Sequence, residues 1–458
     1  MLQQLQAEHF KSWRTLNLDL AAVTGLFGTN SSGKSSIIQF LLMLKQTKNA
    51  TDRGLVLDFG GDDQLVNLGT FQDVIYQHNA EKSLQWSLRW ELPKILRVSD
   101  PLEKSPGALF EGNVLATSSE VFFDKEIKSR FLTYTFAGHT FELRSQEKNT
   151  PMFRLNVNSN LASEFRFVRQ KGRAWSLPAP IKTHLFPDQA KTYHQNADFL
   201  GFFESEYEAF MNRIYYLGPL REYPQRQYQW SGTQPLDVGY RGERTIDAIL
   251  SATSRGERRN LAPNKRYKTF QEMIAYWLQQ LGLIHSFSVQ EIMKGSNLYR
   301  AIVQQCEGGA EVFLTDVGFG VSQVLPALVL LYYVPEGSTI LMEQPEIHLH
   351  PAVQSGLADV ILQVAQHRNV QVIVESHSEH LLRRFQRRIA EDEYPASKMK
   401  LYFCSANREG SSLSNLKVNP FGEIENWPNN FFGDEMAEIA ATQTAAIKRK
   451  ISANRNGQ

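Results

Sequence analysis

The sequence predicts an α/β fold that carries an antiparallel β lobe. The last third alternates helix-like and strand-like segments, which is typical of an α/β core with largely parallel strands. Near the N-terminus, a short apolar strand leads through a glycine-containing loop into a helix. Residues 108–178 contain short runs of alternating apolar and polar side chains, which favour an antiparallel sheet, partly as an insertion.

The composition is that of an ordinary globular chain. The 458 residues are 42% hydrophobic and 21% charged, and the formal net charge is +1. This length corresponds to roughly two to three domains. Because the chain as a whole is nearly neutral, any contact with nucleic acid must use a local basic patch.

We expect a cytoplasmic protein without a membrane segment. The two cysteines, Cys306 and Cys404, lie far apart in sequence, which argues against a disulfide framework or a cysteine zinc site and fits a reducing compartment. The N-terminus lacks the basic start and apolar core of a signal peptide. The longest apolar run, Val324–Val334, contains a proline and is too short to span a bilayer.

The first 45 residues are predicted to form two strands, a loop and a helix. Leu16–Leu20 alternates as a strand does, and Ala22–Phe27 is a short apolar run. Gly28 opens the loop, and Ser35–Leu44 has the length and composition of a helix.

The middle of the chain is predicted to be rich in strands. Residues 83–92 alternate like a half-buried strand, and further strand-like runs are Val121–Phe123, Phe131–Phe136, Thr140–Leu143, Phe153–Val157 and Phe165–Val168. A helix is then predicted at Phe199–Arg213, a buried strand at Ile214–Leu217, an amphipathic helix at Thr269–Leu281 with Thr269 as its N-cap, and strands at Ser286–Ile292 and Tyr299–Gln304.

The last third is predicted to alternate regularly. Helices are expected at Val321–Tyr333, Ala352–Gln366 and His380–Ile389, and strands at Thr339–Met342, Val370–Val374 and Lys400–Cys404.

The loop after the N-terminal strand matches a phosphate-binding motif. Residues 28–35 read Gly-Thr-Asn-Ser-Ser-Gly-Lys-Ser, which is the P-loop pattern in its required setting between a strand and a helix. Glycines let backbone N–H groups surround phosphates, and the helix N-terminus adds partial positive charge. We expect Lys34 to reach the β- and γ-phosphates of ATP and the Ser35 hydroxyl to hold Mg²⁺.

Two later strands end in polar side chains. The strand at 339–342 runs into Glu343, Gln344, Pro345 and Glu346, where a carboxylate can hold Mg²⁺ beside a P-loop. The strand at 370–374 runs into Glu-Ser-His, which makes His377 a candidate γ-phosphate sensor. The alternative for each is a solvated strand end or a structural histidine.

A third glycine-rich segment precedes an apolar helix. Residues 316–323 read Asp-Val-Gly-Phe-Gly-Val-Ser-Gln, which places Ser322 at a helix N-terminus. The alternative is an ordinary helix cap. A second phosphate-type helix start makes sense if it serves the nucleotide of another subunit.

Together these motifs resemble the SMC/RecF/OLD-like branch of ABC ATPases. The resemblance rests on the Walker A loop, the Gly-x-Gly-x-Ser-Gln signature, the Walker B strand with Pro345–Pro351, the switch histidine and the Phe-Lys-Ser start at 10–12. Residues 216–221 and 422–428 are similar to a narrower set of stand-alone bacterial AAA family ATPases. Those end in a domain of unknown function and often occur in phage-defence neighbourhoods. The match is weakest from about residue 95 to 210.

The resemblance implies roles for individual positions. Glu343 stands at the Walker B acid, Gln344 at the catalytic glutamate, and His377 at the switch histidine. Glu346, two residues beyond Gln344, is the alternative candidate for the base. Mg²⁺ would be held by Ser35, Glu343 and Gln72, the last as a Q-loop residue of weak specificity. The implied ATP-binding residues are Lys11, Asn30, Ser31, Ser32, Gly33, Lys34, Ser35, Ser36, Gln72 and, from a partner head, Gly320, Ser322 and Gln323.

Two departures affect the expected chemistry. The Walker B acid is Glu343, and Gln344 replaces the usual glutamate, so ATP binding is expected but fast hydrolysis is not.

We expect a homo-oligomer, at least a dimer of heads, that sandwiches ATP and controls an effector such as a nuclease in antiviral defence. The alternative is an ATP-dependent DNA clamp or scaffold with little turnover. A transporter subunit is disfavoured because residues 318–323 lack the transporter-type signature.

Two basic clusters and two histidines leave alternatives open. One cluster lies at 254–268 and holds Arg255, Arg258, Arg259, Lys265, Arg266 and Lys268; the other consists of Arg383, Arg384, Arg387 and Arg388. Each is either a solvated surface or a contact for nucleic acid or an acidic partner. His348 and His350 would either form a metal site with Glu346 or pack within the D-loop.

The predicted organisation has five ranges. They are an N-terminal head part at 1–95, a β-rich insertion at 96–215, a helical lobe at 216–300, a C-terminal head part at 301–405 and a family-specific tail at 406–458.

Overall fold

The computed structural model describes residues 1–62, 64–99, 108–146, 152–159, 165–172, 176–262, 265–428 and 442–445. Its strands are β1 Leu2–Phe10, β2 Trp13–Asp19, β3 Val23–Gly28, β4 Leu84–Ser99, β5 Ala108–Asp124, β6 Glu126–Phe136, β7 His139–Ser145, β8 Phe153–Ser159, β9 Ile214–Leu217, β10 Tyr228–Gln229, β11 Arg258–Arg259, β12 Lys268–Thr269, β13 Ser286–Glu291, β14 Leu298–Gln304, β15 Glu311–Phe313, β16 Thr339–Glu343, β17 Gln371–Glu375, β18 Met399–Asn407 and β19 Gly410–Leu416. Its α-helices are α1 Lys34–Asn49, α2 Phe71–Val74, α3 Asp188–Thr192, α4 Leu200–Asn212, α5 Thr245–Ser254, α6 Phe270–Gln280, α7 Phe319–Tyr333, α8 Pro351–His367 and α9 Glu379–Ala390.

A six-stranded sheet forms the centre of the fold, in the order β19-β18-β3-β17-β16-β9. All neighbouring pairs are parallel except β18 and β19. Because both faces are covered, the strands read as continuous apolar runs, and their side chains alternate between two hydrophobic cores. The predicted α/β architecture with a largely parallel core is therefore confirmed.

The sheet aligns the ends of three strands that carry polar residues. β17 lies between β16 and β3, with Glu343 opposite Glu375 and Glu375 opposite Leu26. The P-loop follows β3 directly and leads into α1. Since the carboxyl ends of parallel strands meet at one edge, the P-loop, the acidic turn after β16 and the Glu-Ser-His segment converge there.

A seven-stranded antiparallel sheet forms the predicted β lobe, in the order β2-β1-β4-β5-β6-β7-β8. The later strands therefore extend a sheet that begins with the N-terminal strands. β1 was not predicted from the sequence. Its buried residues are Leu2, Leu5, Ala7 and Phe10, and the pairing with β4 shifts register between Leu2 and Gln4, which breaks the period of two.

The strand predicted at Phe165–Val168 does not form, which corrects the sequence interpretation. Residues 165–168 carry no ladder pairing, and the adjacent Arg169 makes only an isolated bridge with His194. Phe165 and Phe167 pack on Phe141 and Phe199 at ring-centroid distances of 5.6–6.3 Å. The Val168 N–H donates to the side-chain amide of Asn196 instead of a strand partner, at 2.9 Å. The alternation therefore reflects aromatic packing rather than a sheet.

The remaining helices largely follow the prediction. α6 begins after Thr269, whose hydroxyl accepts from the Glu272 N–H at 3.3 Å while the Glu272 carboxylate accepts from the Thr269 N–H at 2.7 Å. This capping box confirms the predicted cap. α7 begins at Phe319, two residues before the predicted start. α5 was not predicted.

The predicted ranges do not coincide with element boundaries. The divisions at 95/96, 215/216, 300/301 and 405/406 fall within β4, β9, β14 and β18. Among the described residues, no helix is both long enough and apolar enough to cross a membrane.

Candidate functional site

The P-loop encloses the N-terminus of α1. Gly28 and Gly33 have φ angles of 141° and 88°, a region that favours glycine. A Cβ on Gly28 would lie 2.1 Å from the Cys404 carbonyl oxygen, and one on Gly33 would lie 2.5 Å from the Ser411 hydroxyl. Both conformation and space therefore require glycine at these positions.

The loop borders an open cavity of about 510 Å³ at the edge of the parallel sheet. Its lining comprises Ser12, Asn30, Ser31, Ser32, Gly33, Lys34, Ser35, Ser36, Gln344, Glu375 and His377. The structure thus brings the predicted P-loop residues together with Gln344 and His377. Sequence reasoning did not single out Ser12 and Glu375 for this site.

Lys34 and Ser35 make contacts suited to a phosphate site. The Lys34 ammonium donates to the carbonyls of Thr29 at 2.7 Å and Gly28 at 3.2 Å, so it already lies within the loop. Burial lowers the pKa of Lys34, whereas the nearby Glu375 carboxylate raises it. The Ser35 hydroxyl donates to Oε1 of Glu375 at 3.0 Å.

Gln344 lies directly after β16 in a left-handed conformation, with φ 44°. Its N–H donates to the Glu375 carbonyl at 2.8 Å, which ties the turn to the end of β17. An amide side chain therefore lies in the cavity at the position implied for the catalytic glutamate.

Glu343 does not line the cavity. Its Oε1 accepts a hydrogen bond from the Tyr216 hydroxyl at 3.0 Å. Burial, followed by repulsion from Glu375, raises the pKa of Glu343 to about 7. The side chain predicted to hold Mg²⁺ is therefore buried and bonded to Tyr216, outside the cavity lining.

Glu346 is also buried outside the cavity lining. Its Oε1 accepts from the His377 N–H at 2.8 Å, and its Oε2 has no hydrogen-bond partner among the described residues. Burial raises the pKa of Glu346. Glu346 therefore fixes the backbone next to the predicted switch histidine.

His377 lines the cavity beside the P-loop. Burial lowers its pKa, and the positive charge of Lys34 lowers it further, so the neutral imidazole is favoured. A neutral ring can donate a hydrogen bond from one nitrogen and accept at the other.

Lys11 lies next to this cavity without lining it. Its ammonium donates to Oε1 of Gln39 on α1 at 2.6 Å, and it borders a neighbouring cavity of about 520 Å³. Ser12 lines both cavities.

The predicted Q-loop residue lies elsewhere. A capping box between Thr70 and Asp73 starts the short helix α2, and the buried side of this helix carries Phe71 and Val74. Gln72 is therefore exposed and does not line the P-loop cavity. The structure does not support Gln72 as an ATP or Mg²⁺ contact.

The signature segment is also separate from the P-loop cavity. Ser322 lies in the first turn of α7, where its hydroxyl donates to the Phe319 carbonyl at 2.9 Å. Gly320 and Gln323 share this helix start and, like Ser322, are absent from the lining of the P-loop cavity. The neighbouring Phe319 and Tyr223 are 59% and 73% exposed and contact each other.

His348 and His350 are both exposed, so neither packs in the interior. The His350 ring accepts from the Ala352 N–H at 3.3 Å and caps α8. Within the part of the chain that the structure describes, no three His, Cys, Asp or Glu side chains are grouped to hold a metal. The alternative of a metal site with Glu346 is therefore not supported.

Most arginines of the two basic clusters have partners within the chain. On α9, Arg383 pairs with Glu379, Arg384 with Asp359, Arg387 with Glu391, and Arg388 with Asp359, Glu391 and Glu393. In the other cluster, Arg255 and Arg259 share Glu257. Lys265 and Arg266 are exposed. The α9 cluster is thus neutralised by its acidic neighbours.

Comparisons with known proteins place two family models on the chain. A model described as "AAA domain, putative AbiEii toxin, Type IV TA system" matches residues 23–383. A second, described as "Protein of unknown function (DUF3696)", matches residues 395–441. These matches confirm the predicted resemblance and P-loop ATPase class, including the C-terminal domain of unknown function. No curated protein matches the chain.

Several solved structures are similar to the chain at low identity. An SMC head bound to the C-winged helix domain of ScpA has a TM-score of 0.44 and 12% identity, covering 91% of this chain and 98% of that one. The SMC head domain from Thermotoga maritima has a TM-score of 0.41 and 13% identity, covering 91% and 99%. An SMC head with an extended coiled coil, bound to the C-terminal domain of ScpA and derived from Pyrococcus furiosus, has a TM-score of 0.43 and 10% identity, covering 91% and 96%.

Proposed function

Because the chain belongs to the family described as an AAA domain of the AbiEii toxin type, we propose that it binds ATP with Mg²⁺ in the P-loop cavity and hydrolyses it slowly. One observation carries this proposal: Lys34, Ser35, Gln344 and His377 border the same cavity at the carboxyl edge of the parallel sheet. The remainder of the chain would convert nucleotide binding into movement of a dimer of heads.

The residues present fit ATP and Mg²⁺. The glycine conformations leave the α1 N-terminus open to phosphate oxygens, and Lys34 needs only to exchange loop carbonyls for a phosphate. Ser35 supplies a hydroxyl ligand for Mg²⁺, which neutralises phosphate charge when bound. Gln344 would orient the attacking water through its amide, and His377 would contact the γ-phosphate.

Slow turnover is expected from the amide at Gln344. A carboxylate can take a proton from the attacking water, whereas an amide can only orient that water by hydrogen bonding. General-base assistance is typically worth about 10²–10⁴-fold. We therefore propose an enzyme that holds ATP for long periods and is accelerated by a partner.

The signature helix supports a dimer in which each head completes the other's site. Ser322 lies at a helix start outside its own P-loop cavity. In a head-to-head dimer, the Gly320–Gln323 turn would face the γ-phosphate held by the partner head. ATP would then stabilise the closed dimer, and hydrolysis or release would open it.

We propose that this cycle controls a toxic effector, such as a nuclease, in antiviral defence within the cytoplasm. The support is the description of the matching family, which reads "putative AbiEii toxin, Type IV TA system". The five sequence-based ranges, with the tail at 406–458, remain proposals for how the head and its accessory parts are divided.

The second candidate is an ATP-dependent clamp or scaffold with little turnover. Gln344 favours it, because the lining of the cavity has no carboxylate at the usual catalytic position. Nucleic acid would use the exposed Arg258, Lys265 and Arg266 of the other cluster, since the α9 arginines are already paired. ATP turnover that rises when DNA or a partner is added would favour the regulated ATPase. An absence of ATP turnover under every condition would favour the scaffold.

The test of the nucleotide site is Lys34→Ala. Loss of the ammonium should abolish ATP binding in calorimetry while the melting temperature of the apo protein stays within a few degrees. Lys48→Ala, on the last turn of the same helix, is the matched control and should bind ATP like the wild type. Wild-type affinity in Lys34→Ala would contradict the proposal.

A further inference from the structure

We propose that Glu375, paired with Ser35, is the carboxylate of the Mg²⁺ site, in place of Glu343. This inference rests on the proposed function, because the ion accompanies ATP. It assigns a role to a residue of the Glu-Ser-His segment that sequence reasoning used only to locate His377.

The side chain of Glu375 lies where the ion is needed. It ends β17, the strand between the P-loop strand and the Walker B strand. Its Oε1 accepts the hydrogen bond from the Ser35 hydroxyl at 3.0 Å, and the side chain lines the P-loop cavity. A hydroxyl and a carboxylate thus form one pair of oxygen donors at the start of α1.

One oxygen of Glu375 is left without a partner. The residue is only 1% exposed, and its Oε2 is buried with no hydrogen-bond partner among the described residues. A buried carboxylate oxygen without a partner costs free energy. A cation that binds at this oxygen would remove that cost.

The other two carboxylates face different groups. Glu343 accepts from Tyr216, and Glu346 accepts from the His377 N–H. Neither lines the cavity. Glu375 is thus the acidic side chain in the lining, among the residues that the structure describes.

The chemistry of Mg²⁺ suits this arrangement. The ion is usually held by one or two protein carboxylates together with substrate phosphates and retained waters. Ser35 and Glu375 would supply two oxygens, and ATP and water would supply the rest. Lys34 and Glu375 are close enough to stabilise each other's charge: Glu375 raises the pKa of Lys34, and Lys34 lowers the pKa of Glu375.

Neighbouring groups keep Glu375 in place. The Gln344 N–H donates to the Glu375 carbonyl, and the nearby Gln344 side chain lowers the pKa of the Glu375 carboxyl group. The glutamine at the catalytic position thereby avoids a second negative charge next to Glu375. This explains in physical terms why an amide is tolerated there.

The experiment measures metal affinity, with Mn²⁺ as a spectroscopic probe. Full-length wild type, Glu375→Gln and Glu343→Gln are saturated with ATP, and bound Mn²⁺ is followed by electron paramagnetic resonance. ATP affinity is measured by calorimetry in EDTA. We expect Glu375→Gln to lower Mn²⁺ affinity by at least about tenfold, in the range seen when groups supporting a metal are removed, with ATP affinity in EDTA unchanged. Glu343→Gln should lose no more than a few-fold.

Several outcomes would overturn the inference. Equal Mn²⁺ affinity in Glu375→Gln and wild type would reject it, and a larger loss in Glu343→Gln would return the role to Glu343. If Glu375→Gln fails to fold, Glu375→Asp serves instead, because its shorter side chain cannot hold both Ser35 and the ion; wild-type Mn²⁺ affinity would again reject the inference. Wild type that binds no ATP would reject the proposed function itself.

Discussion

Two of the helices that the structure describes start directly after a glycine, and these two starts differ in how complete a site they form. α1 follows Gly33, and its first turn faces a cavity of about 510 Å³ with a lysine, a carboxylate and a histidine around it. α7 follows Gly318, and its Ser322 hydroxyl bonds the chain's own Phe319 carbonyl. Next to α7, Phe319 and Tyr223 are mostly exposed. The first helix start forms a site within the chain, whereas at the second Ser322 is buried and the flanking Phe319 and Tyr223 are exposed.

This difference indicates where each helix start obtains its ligand. Phosphate needs counter-charge as well as backbone N–H groups. At α1 the chain supplies Lys34, while the first turn of α7 contains no basic side chain. We therefore expect the α1 site to bind ATP without help from a partner head, and α7 to contact a phosphate that another head already holds.

The largest expected effect tests whether α1 lacks only a base. Gln344→Glu should raise the ATP turnover number by about 10²-fold, because the new carboxylate can act as a general base. We expect the lower end of the range for general-base assistance, because the new carboxylate would lie next to the negative charge of Glu375. Glu346→Gln is the comparison and should change turnover by less than about threefold, since an amide oxygen can still accept from the His377 N–H. Steady-state phosphate release measures both.

Two results would contradict that prediction. If Glu346→Gln stops turnover while ATP stays bound, Glu346 moves into the cavity and acts as the base. If the wild type is fast and neither change matters, the roles assigned around the Walker B strand are wrong.

The second effect tests whether α7 acts on a partner head. Ser322→Arg should weaken ATP-dependent association at least tenfold in sedimentation while ATP affinity stays nearly unchanged. The arginine would fill the space next to the γ-phosphate of the other head. Ser205→Arg controls for an arginine added at a helical serine, because Ser205 also donates to a carbonyl of its own helix, that of Gly201, at 2.8 Å. Since Ser322 is buried and Ser205 is exposed, an unchanged melting temperature of Ser322→Arg is required as well.

The same ATP-dependent assembly in Ser322→Arg and wild type would reject the sandwich model. If the two heads are held together elsewhere in the absence of ATP, a distance probe near residue 322 replaces sedimentation. The sandwich model would then be rejected if ATP shortens the distance between the two heads near residue 322 as much in Ser322→Arg as in the wild type.

The fold was predictable from sequence where local pattern and burial agree. β3, β16 and β17 are buried on both faces, and their short apolar runs predict buried strands directly. The strand predicted at Phe165–Val168 was wrong, because alternating phenylalanines suit aromatic packing as well as a sheet. β1 was missed because a register shift interrupts its alternation.

The candidate site was predictable where one motif fixes the backbone. The P-loop glycines, Lys34 and Ser35 come from contiguous sequence, and they lie together as expected. Gln72 lies outside the cavity lining, on the exposed side of a short helix that a capping box starts. Glu375 was overlooked because its importance depends on strand order: only the insertion of β17 between β3 and β16 brings it to Ser35.

A third helix start supplies the smallest expected effect. α9 begins after Ser378, directly beyond His377, and Ser378 caps it by accepting from the Leu381 N–H at 3.0 Å. The C-terminal segment covers this helix: the Arg383 guanidinium lies 4.7 Å from the centroid of the Trp427 ring, and the Gln386 amide donates to the Gly422 carbonyl at 2.8 Å. The family-specific tail thus contacts the helix that follows the predicted phosphate sensor.

A double-mutant cycle measures this contact. Trp427→Ala and Arg383→Ala should be coupled by about 0.5–1 kcal/mol in the free energy of unfolding, as expected for an exposed cation–π pair. Arg387→Ala, which removes a neighbouring arginine paired with Glu391, should show no coupling to Trp427→Ala. Urea unfolding of the four variants in each cycle gives the values. A zero coupling for Arg383 would mean that the tail lies on α9 without stabilising it. In that case nucleotide-dependent movement at His377 would have no energetic route through Trp427 to the tail.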